Sequence, residues 1–150
     1  MKKLLLLLLL FGFSANGADK PIDSDTGLEG IAESGLVVAV EPYDGIDAKA
    51  IENQVRLRLV QAGIKTKSTD DFSFSGMFYV NAQPVGQIIS MNIEAKRQMT
   101  FEANGKTYRK LAIVWSTGGI LHKDNLRKFI NKQMDKFLLD YLKANPKKEK

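Results

Sequence analysis

"QIISMNIEAKRQMTF", Gln87 to Phe101, alternates apolar and polar side chains with a period of two, and its reading decides the fold. Ile89, Met91, Ile93, Ala95, Met99 and Phe101 share one parity, while Ser90, Asn92, Glu94, Lys96, Gln98 and Thr100 share the other. Such a strand has one dry side and one wet side, so its sheet is covered on one face only. Arg97 interrupts the dry parity between Ala95 and Met99, where an unpaired buried charge is costly. Either the covering layer leaves that point open or a partner neutralises the guanidinium.

Working outward, "ANGK" turns this strand into the next, Lys106 to Ser116. A three-residue loop of Ala103, Asn104 and Gly105 pairs Ile93 with Trp115, Ala95 with Ile113 and Glu102 with Lys106. A two-residue Asn104-Gly105 loop sets Glu94 opposite Trp115 and mixes the faces, so face consistency favours three. In this reading Trp115 continues an apolar face with Leu111 and Ile113. Before the long strand, Phe72 to Asn81 contains another, and Pro84 and Gly86 mark the turn between them. "LVVAV", Leu36 to Val40, is apolar throughout, as expected of a strand inside the sheet.

The covering layer is also legible. From Asp47 to Ala62, Ala48, Ile51, Val55, Leu59 and Ala62 recur at helical spacing, with Asp47 as N-cap and Gly63 just past the end. From Asn125 to Ala144, the stripe Leu126, Phe129, Ile130, Met134, Phe137, Leu138 and Tyr141 forms a second helix, which "NP" at Asn145-Pro146 stops. Two apolar helical stripes match one dry sheet face. The expected fold is an α+β two-layer sandwich, a mainly antiparallel four- to five-stranded sheet with two helices packed on one face.

The ends complete the layout. Met1-Lys2-Lys3, the apolar run Leu4 to Phe13 and "ANG" at 15–17 read as a signal peptide cleaved before Ala18, which places the mature chain in the periplasm or outside the cell. Residues 18–35 read as a flexible acidic leader, 36–146 as a single domain and 147–150 as a basic tail. No later segment is apolar enough to span a bilayer, so no transmembrane segment is expected in the mature chain. The formal charge of +5 falls to +3 when Lys2 and Lys3 leave with the signal. An exported chain of this charge points to anionic envelope material rather than nucleic acid.

No catalytic residue is assigned. "WSTGGILH", Trp115 to His122, contains the only tryptophan and the only histidine, together with Ser116, and Asp124 lies just beyond it. It lacks the strand–turn–helix elbow of a nucleophile and reads as a strand end followed by a loop in which Gly118 and Gly119 turn the chain. One histidine and no cysteine leave no expected metal site, and no phosphate or dinucleotide fingerprint points to a cofactor. The candidate ligand-binding residues are Lys96, Arg97, Arg109 and Lys110, a basic patch on the hairpin.

The helix pattern carried by Ile51, Val55, Leu59, Ala62, Gly63 and Ile64, the strand ending at Trp115, and the closing Phe137, Asp140, Tyr141, Leu142, Ala144, Asn145 and Pro146 resemble a family of small exported bacterial α/β domains of unknown function. The architecture is also similar to the TolB amino-terminal domain and to the lipopolysaccharide-assembly lipoprotein, although this chain lacks the cysteine that would carry lipid. The resemblance implies non-enzymatic binding. The expected function is a periplasmic binding or adaptor domain that contacts an envelope protein or an anionic envelope component through a sheet edge or the basic hairpin. The alternative is a small-ligand or lipid-binding protein with a pocket between sheet and helices, in which Arg97 holds an acidic head group.

Overall fold

A computed structural model of the chain describes residues 26–68, 70 and 74–146. Strand β1 (Leu36–Val40) leads to helix α1 (Ala48–Gln61), a short β2 (Thr66–Lys67), β3 (Gly76–Val85), β4 (Ile88–Ala103), β5 (Lys106–His122) and helix α2 (Leu126–Ala144). The five strands form one sheet in the order β2-β1-β3-β4-β5. β1 pairs in parallel with β2 and β3, whereas the longer β3–β4 and β4–β5 ladders are antiparallel. This is the expected α+β sandwich, with β1 inside the sheet and β5 at an edge.

The register explains which residues meet. Val38, Phe78, Ala95 and Trp115 lie across one row, and all face the helices. Above them sit Ile51, Val55 and Leu59 of α1 and Ile130, Met134 and Phe137 of α2. Phe137 packs edge-on against both Phe78 and Trp115, with ring centroids 4.9 and 5.2 Å away. The Asp47 carboxylate accepts from the Ala50 amide at 2.9 Å, and Gly63 takes φ +79° past the end of α1, so both expected helix signals operate. At the start of α2 a single 3-10 turn, Lys123–Asn125, precedes the helix, and the Asn125 side chain makes no capping bond.

Three boundaries differ from expectation. β3 runs through Pro84, which pairs with Ile89, and the turn is at Gly86 (φ +63°). Proline is tolerated there because β1 ends opposite Val80, leaving that part of β3 with a single neighbour. β5 continues past Ser116 to His122, so Gly118 and Gly119 do not turn the chain. They permit close packing instead, since a Cβ at Gly118 would lie 2.6 Å from the Met91 carbonyl oxygen and one at Gly119 would lie 3.3 Å from the Phe129 ring.

The third difference corrects the reading of residues 18–35 as a flexible leader. Residues 18–25, like the signal at 1–17 and the tail at 147–150, lie outside the described residues. Residues 26–35 belong to the fold: a 3-10 turn at Thr26–Leu28 buries Leu28 and Ile31 completely. Asn145 secures this segment, accepting from the Gly30 amide at 2.9 Å and donating to the carbonyl of Leu28 at 3.0 Å and that of Tyr141 at 2.9 Å. The residue that ends α2 thereby satisfies backbone groups at the other end of the chain. The expected domain start at Leu36 omits two core side chains because two apolar residues within a polar run leave no periodic signal.

Leu28→Ala is expected to lower the unfolding free energy by about 3 kcal/mol in urea titration, the usual cost of emptying a buried leucine site. A flexible leader would give a change within about 0.5 kcal/mol. On α1, Arg56 donates from Nε to Glu52 at 2.7 Å and from a terminal nitrogen to the Lys67 carbonyl at 2.8 Å, joining helix to β2. The Arg56 hydrogen bond holds the Glu52 carboxyl below its usual range. Its contribution is therefore full above the unfolded-state pKa and is lost as pH falls through the folded-state value. Glu52→Gln is expected to cost about 0.5 kcal/mol at neutral pH, with the difference from wild type vanishing in acid.

Candidate functional site

The β4–β5 hairpin reaches beyond the rest of the sheet. β3 begins at Gly76, opposite Arg97, and the Gln98 amide still donates to the Ser75 carbonyl at 3.0 Å, but among the described residues β5 is the one strand beside β4 from Gln98 onward. From there to Ala103 is a two-stranded ribbon about 20 Å long at ~3.3 Å per residue. Its tip is the two-residue turn that sequence reasoning set aside. Asn104 (φ 52°) and Gly105 (φ 70°) are both left-handed, and Ala103 pairs with Lys106.

A β-bulge reconciles that turn with a consistent core face. Lys96 pairs with Ile113 and Ala95 with Trp115, leaving Val114 as the extra residue. Below the bulge Trp115, Thr117, Gly119 and Leu121 share the helix-covered front face; above it that parity passes to Ala112, Lys110, Tyr108 and Lys106. Trp115 is buried and donates from Nε1 to Asp140 of α2 at 2.9 Å. Leu111 and Ile113 do not continue its face, as the sequence suggested; they lie exposed on the back of the sheet.

The four candidate cations do not form one patch. Lys96 and Arg109 lie on the back face, Arg97 and Lys110 on the front. Lys96 is already matched: its Nζ lies 2.8 Å from a Glu94 carboxylate oxygen and 4.2 Å from the Tyr79 ring centroid. Tyr79 in turn donates its hydroxyl to Glu41 at 2.7 Å, and this hydrogen bond raises the tyrosine pKa above its ordinary value. Arg97 lies where the core ends, half-buried, with no ion pair among the described residues. The helices leave that point open, as one of the two sequence alternatives required. Arg109 and Lys110 are exposed.

Three residues that sequence reasoning assigned to the dry face or left aside join the front-face cations. Met99 and Phe101 follow the dry parity but are 51% and 43% exposed, because the helices do not extend over the ribbon. Tyr108, 39% exposed, stacks on Phe101 with centroids 5.5 Å apart, and Lys110 Nζ lies 5.7 Å from the Phe101 centroid. The available signal was the interruption of the dry parity by Arg97, which marks where burial stops.

"WSTGGILH" is strand throughout. Ser116 pairs with Glu94 and His122 with Ile88, so the two are separated by about 20 Å of extended chain at ~3.3 Å per residue and do not form a nucleophile–base couple. His122 Nδ1 instead lies 3.1 Å from the Asp124 carboxylate. Among the described residues no group of three or more His, Cys, Asp or Glu is placed to hold a metal ion, and no helix is long and apolar enough to cross a membrane. The sheet–helix interface is filled by Phe78, Ile93, Met134 and Phe137, all fully buried. An open cleft of about 440 Å³ lies instead beside the bulge, lined by Ile113 to Ser116 and by Lys136 and Asp140.

No protein-family model matches the chain, and no curated protein does. Among solved structures, a PelC variant dodecamer from Paraburkholderia phytofirmans aligns at 13% identity over 77% of this chain and 88% of that one, with a TM-score of 0.44. A minor lipoprotein from Acinetobacter baumannii aligns at 10% identity over 71% of this chain and 84% of its own, with a TM-score of 0.20.

Phe101→Ala and Tyr108→Ala are each expected to change stability by less than about 1 kcal/mol, as befits exposed side chains. Phe78→Ala, by contrast, is expected to cost about 3–5 kcal/mol. Urea unfolding of the three variants checks whether the ribbon aromatics are surface rather than core.

Proposed function

We propose that this chain is a non-enzymatic binding or adaptor domain of the bacterial cell envelope, exported to the periplasm or beyond, which engages an envelope protein or an anionic envelope component through the β4–β5 hairpin. The observation that carries the reading is the ribbon from Gln98 to Leu111, which projects past β3 with Met99, Phe101, Tyr108 and Leu111 exposed. Solvent-exposed apolar side chains gathered on one projecting element mark a contact surface. Arg97, Lys106 and Lys110 beside them, which make no ion pair among the described residues, favour an anionic counterpart.

The β5 edge supports the same reading less directly. Among the described residues its outer side has no strand beside it, and it offers backbone groups to a partner. The bulge and the approach of Gly27 to Val114, where an added Cβ would lie 2.9 Å from the valine Cβ, obstruct the middle of that edge. Strand addition along its whole length is therefore disfavoured, and the ribbon is the better contact surface. The pocket alternative has less support, because apolar side chains fill the space between sheet and helices and Arg97 lies at the end of that layer.

The test places a photo-cross-linking residue at Tyr108 and, as a control, at Leu139, an exposed position on α2. In cells exporting the protein, Tyr108 is expected to capture a defined envelope component that Leu139 does not. Equal capture from both sites, or none from Tyr108 in a folded exported protein, would sink the reading.

A further inference from the structure

The two faces of the ribbon differ in chemistry, and that difference selects among anionic partners. Above the bulge the front face carries Arg97, Met99, Phe101, Ala103, Lys106, Tyr108, Lys110 and Ala112, with no carboxylate. The back face carries Lys96, already paired with Glu94, and Gln98, Thr100, Glu102, Thr107, Arg109, Leu111 and Ile113. Neutral hydrogen-bonding side chains thus lie on the back, apart from the Tyr108 hydroxyl, and the front combines cations with apolar surface.

We infer that the front face of the β4–β5 ribbon docks on an anionic lipid surface, an inference that rests on the hairpin being the contact element and specifies its partner. An anionic glycan is oriented by neutral hydrogen-bonding groups beside its charges, and on this face the Tyr108 hydroxyl alone is such a group. A lipid interface requires what it has: aromatic rings at headgroup depth, an apolar side chain to enter the acyl boundary, and lysine or arginine to meet phosphate. The Phe101–Tyr108 stack presents a ridge rather than a recess, a shape suited to a deformable surface. Lys110, poised over the Phe101 ring, holds a cation beside the apolar contact.

The geometry also permits approach. The ribbon extends about 20 Å beyond the end of β3, more than the ~5–10 Å to which interfacial elements sink, so its length suffices for a tip-first approach tilted toward the front face. Glu102, the carboxylate nearest the tip on β4, is on the back face and does not oppose an anionic surface there. Arg109, also on the back, is the natural control for charge that faces away.

The experiment is flotation of the mature chain with phosphatidylglycerol-containing vesicles and with pure phosphatidylcholine vesicles, at low and high salt. Salt-sensitive binding to the anionic vesicles alone is expected. Lys106→Gln and Lys110→Gln should each weaken it about fivefold, the worth of one lysine near such a surface. Phe101→Ala with Tyr108→Ala should abolish it, and Arg109→Gln should leave it nearly unchanged. A Phe101→Trp variant adds a reporter. The native Trp115 is buried, so a blue shift on vesicle addition would come from the ribbon.

Absence of vesicle binding by the folded chain overturns the inference, as does equal loss in Arg109→Gln or an unshifted Phe101→Trp spectrum. If the chain ignores vesicles yet Tyr108 still captures an envelope protein or polymer, the lipid assignment fails and the binding-domain reading stands. If both experiments are blank, both fail.

Discussion

One unpaired residue, Val114, sets the organisation of the molecule. Without the bulge, a two-residue Asn104-Gly105 turn would place Trp115 opposite Glu94 and expose it on the wet face. With it, Trp115 comes opposite Ala95, where the ring fits against Phe78 and Phe137 and the indole nitrogen reaches Asp140. The turn itself sets Lys110 and Tyr108 on the front of the ribbon and Ile113 on the back, with or without the bulge. A single change of register thus lets the Trp115 core row and the ribbon front lie on the same face of one strand.

Most of the scaffold was legible because its signals are periodic. The alternation from Ile89 to Ala95 and the stripes at Ile51, Val55, Leu59 and Ile130, Met134, Phe137 specified the sheet, its dry face and both covering helices. What was missed lacks periodicity. A bulge at a valine has no compositional mark; Gly118-Gly119 looks like a turn until the neighbouring carbonyl and ring that demand glycine are known; and Leu28 and Ile31 stand alone among polar residues. The hairpin register was missed for a related reason, since a uniform ladder was assumed where the ladder changes phase.

The candidate surface was legible in part. Parity identifies the face a side chain points to but not whether another layer lies above it, so Met99 and Phe101 looked buried although the helices stop short of them. Arg97 gave the limit of burial correctly, because a lone guanidinium is not stable inside a dry core. Lys96 needed tertiary information: Glu94 is visible two positions earlier, but Tyr79 comes from β3. Grouping the cations by proximity in sequence merged two faces that the pleat separates.

The amino-terminal turn also has a mechanical role. Gly27 abuts Val114 at the bulge, and Ile31 lies against Gly76, where β3 gives way to the ribbon. This segment therefore grips the root of the projecting hairpin, while Asn145 ties it to the end of α2. Tension applied at Thr26 is delivered to the fulcrum of the ribbon instead of to a loose end. The hairpin is a lever whose pivot is held by Gly27 and Ile31.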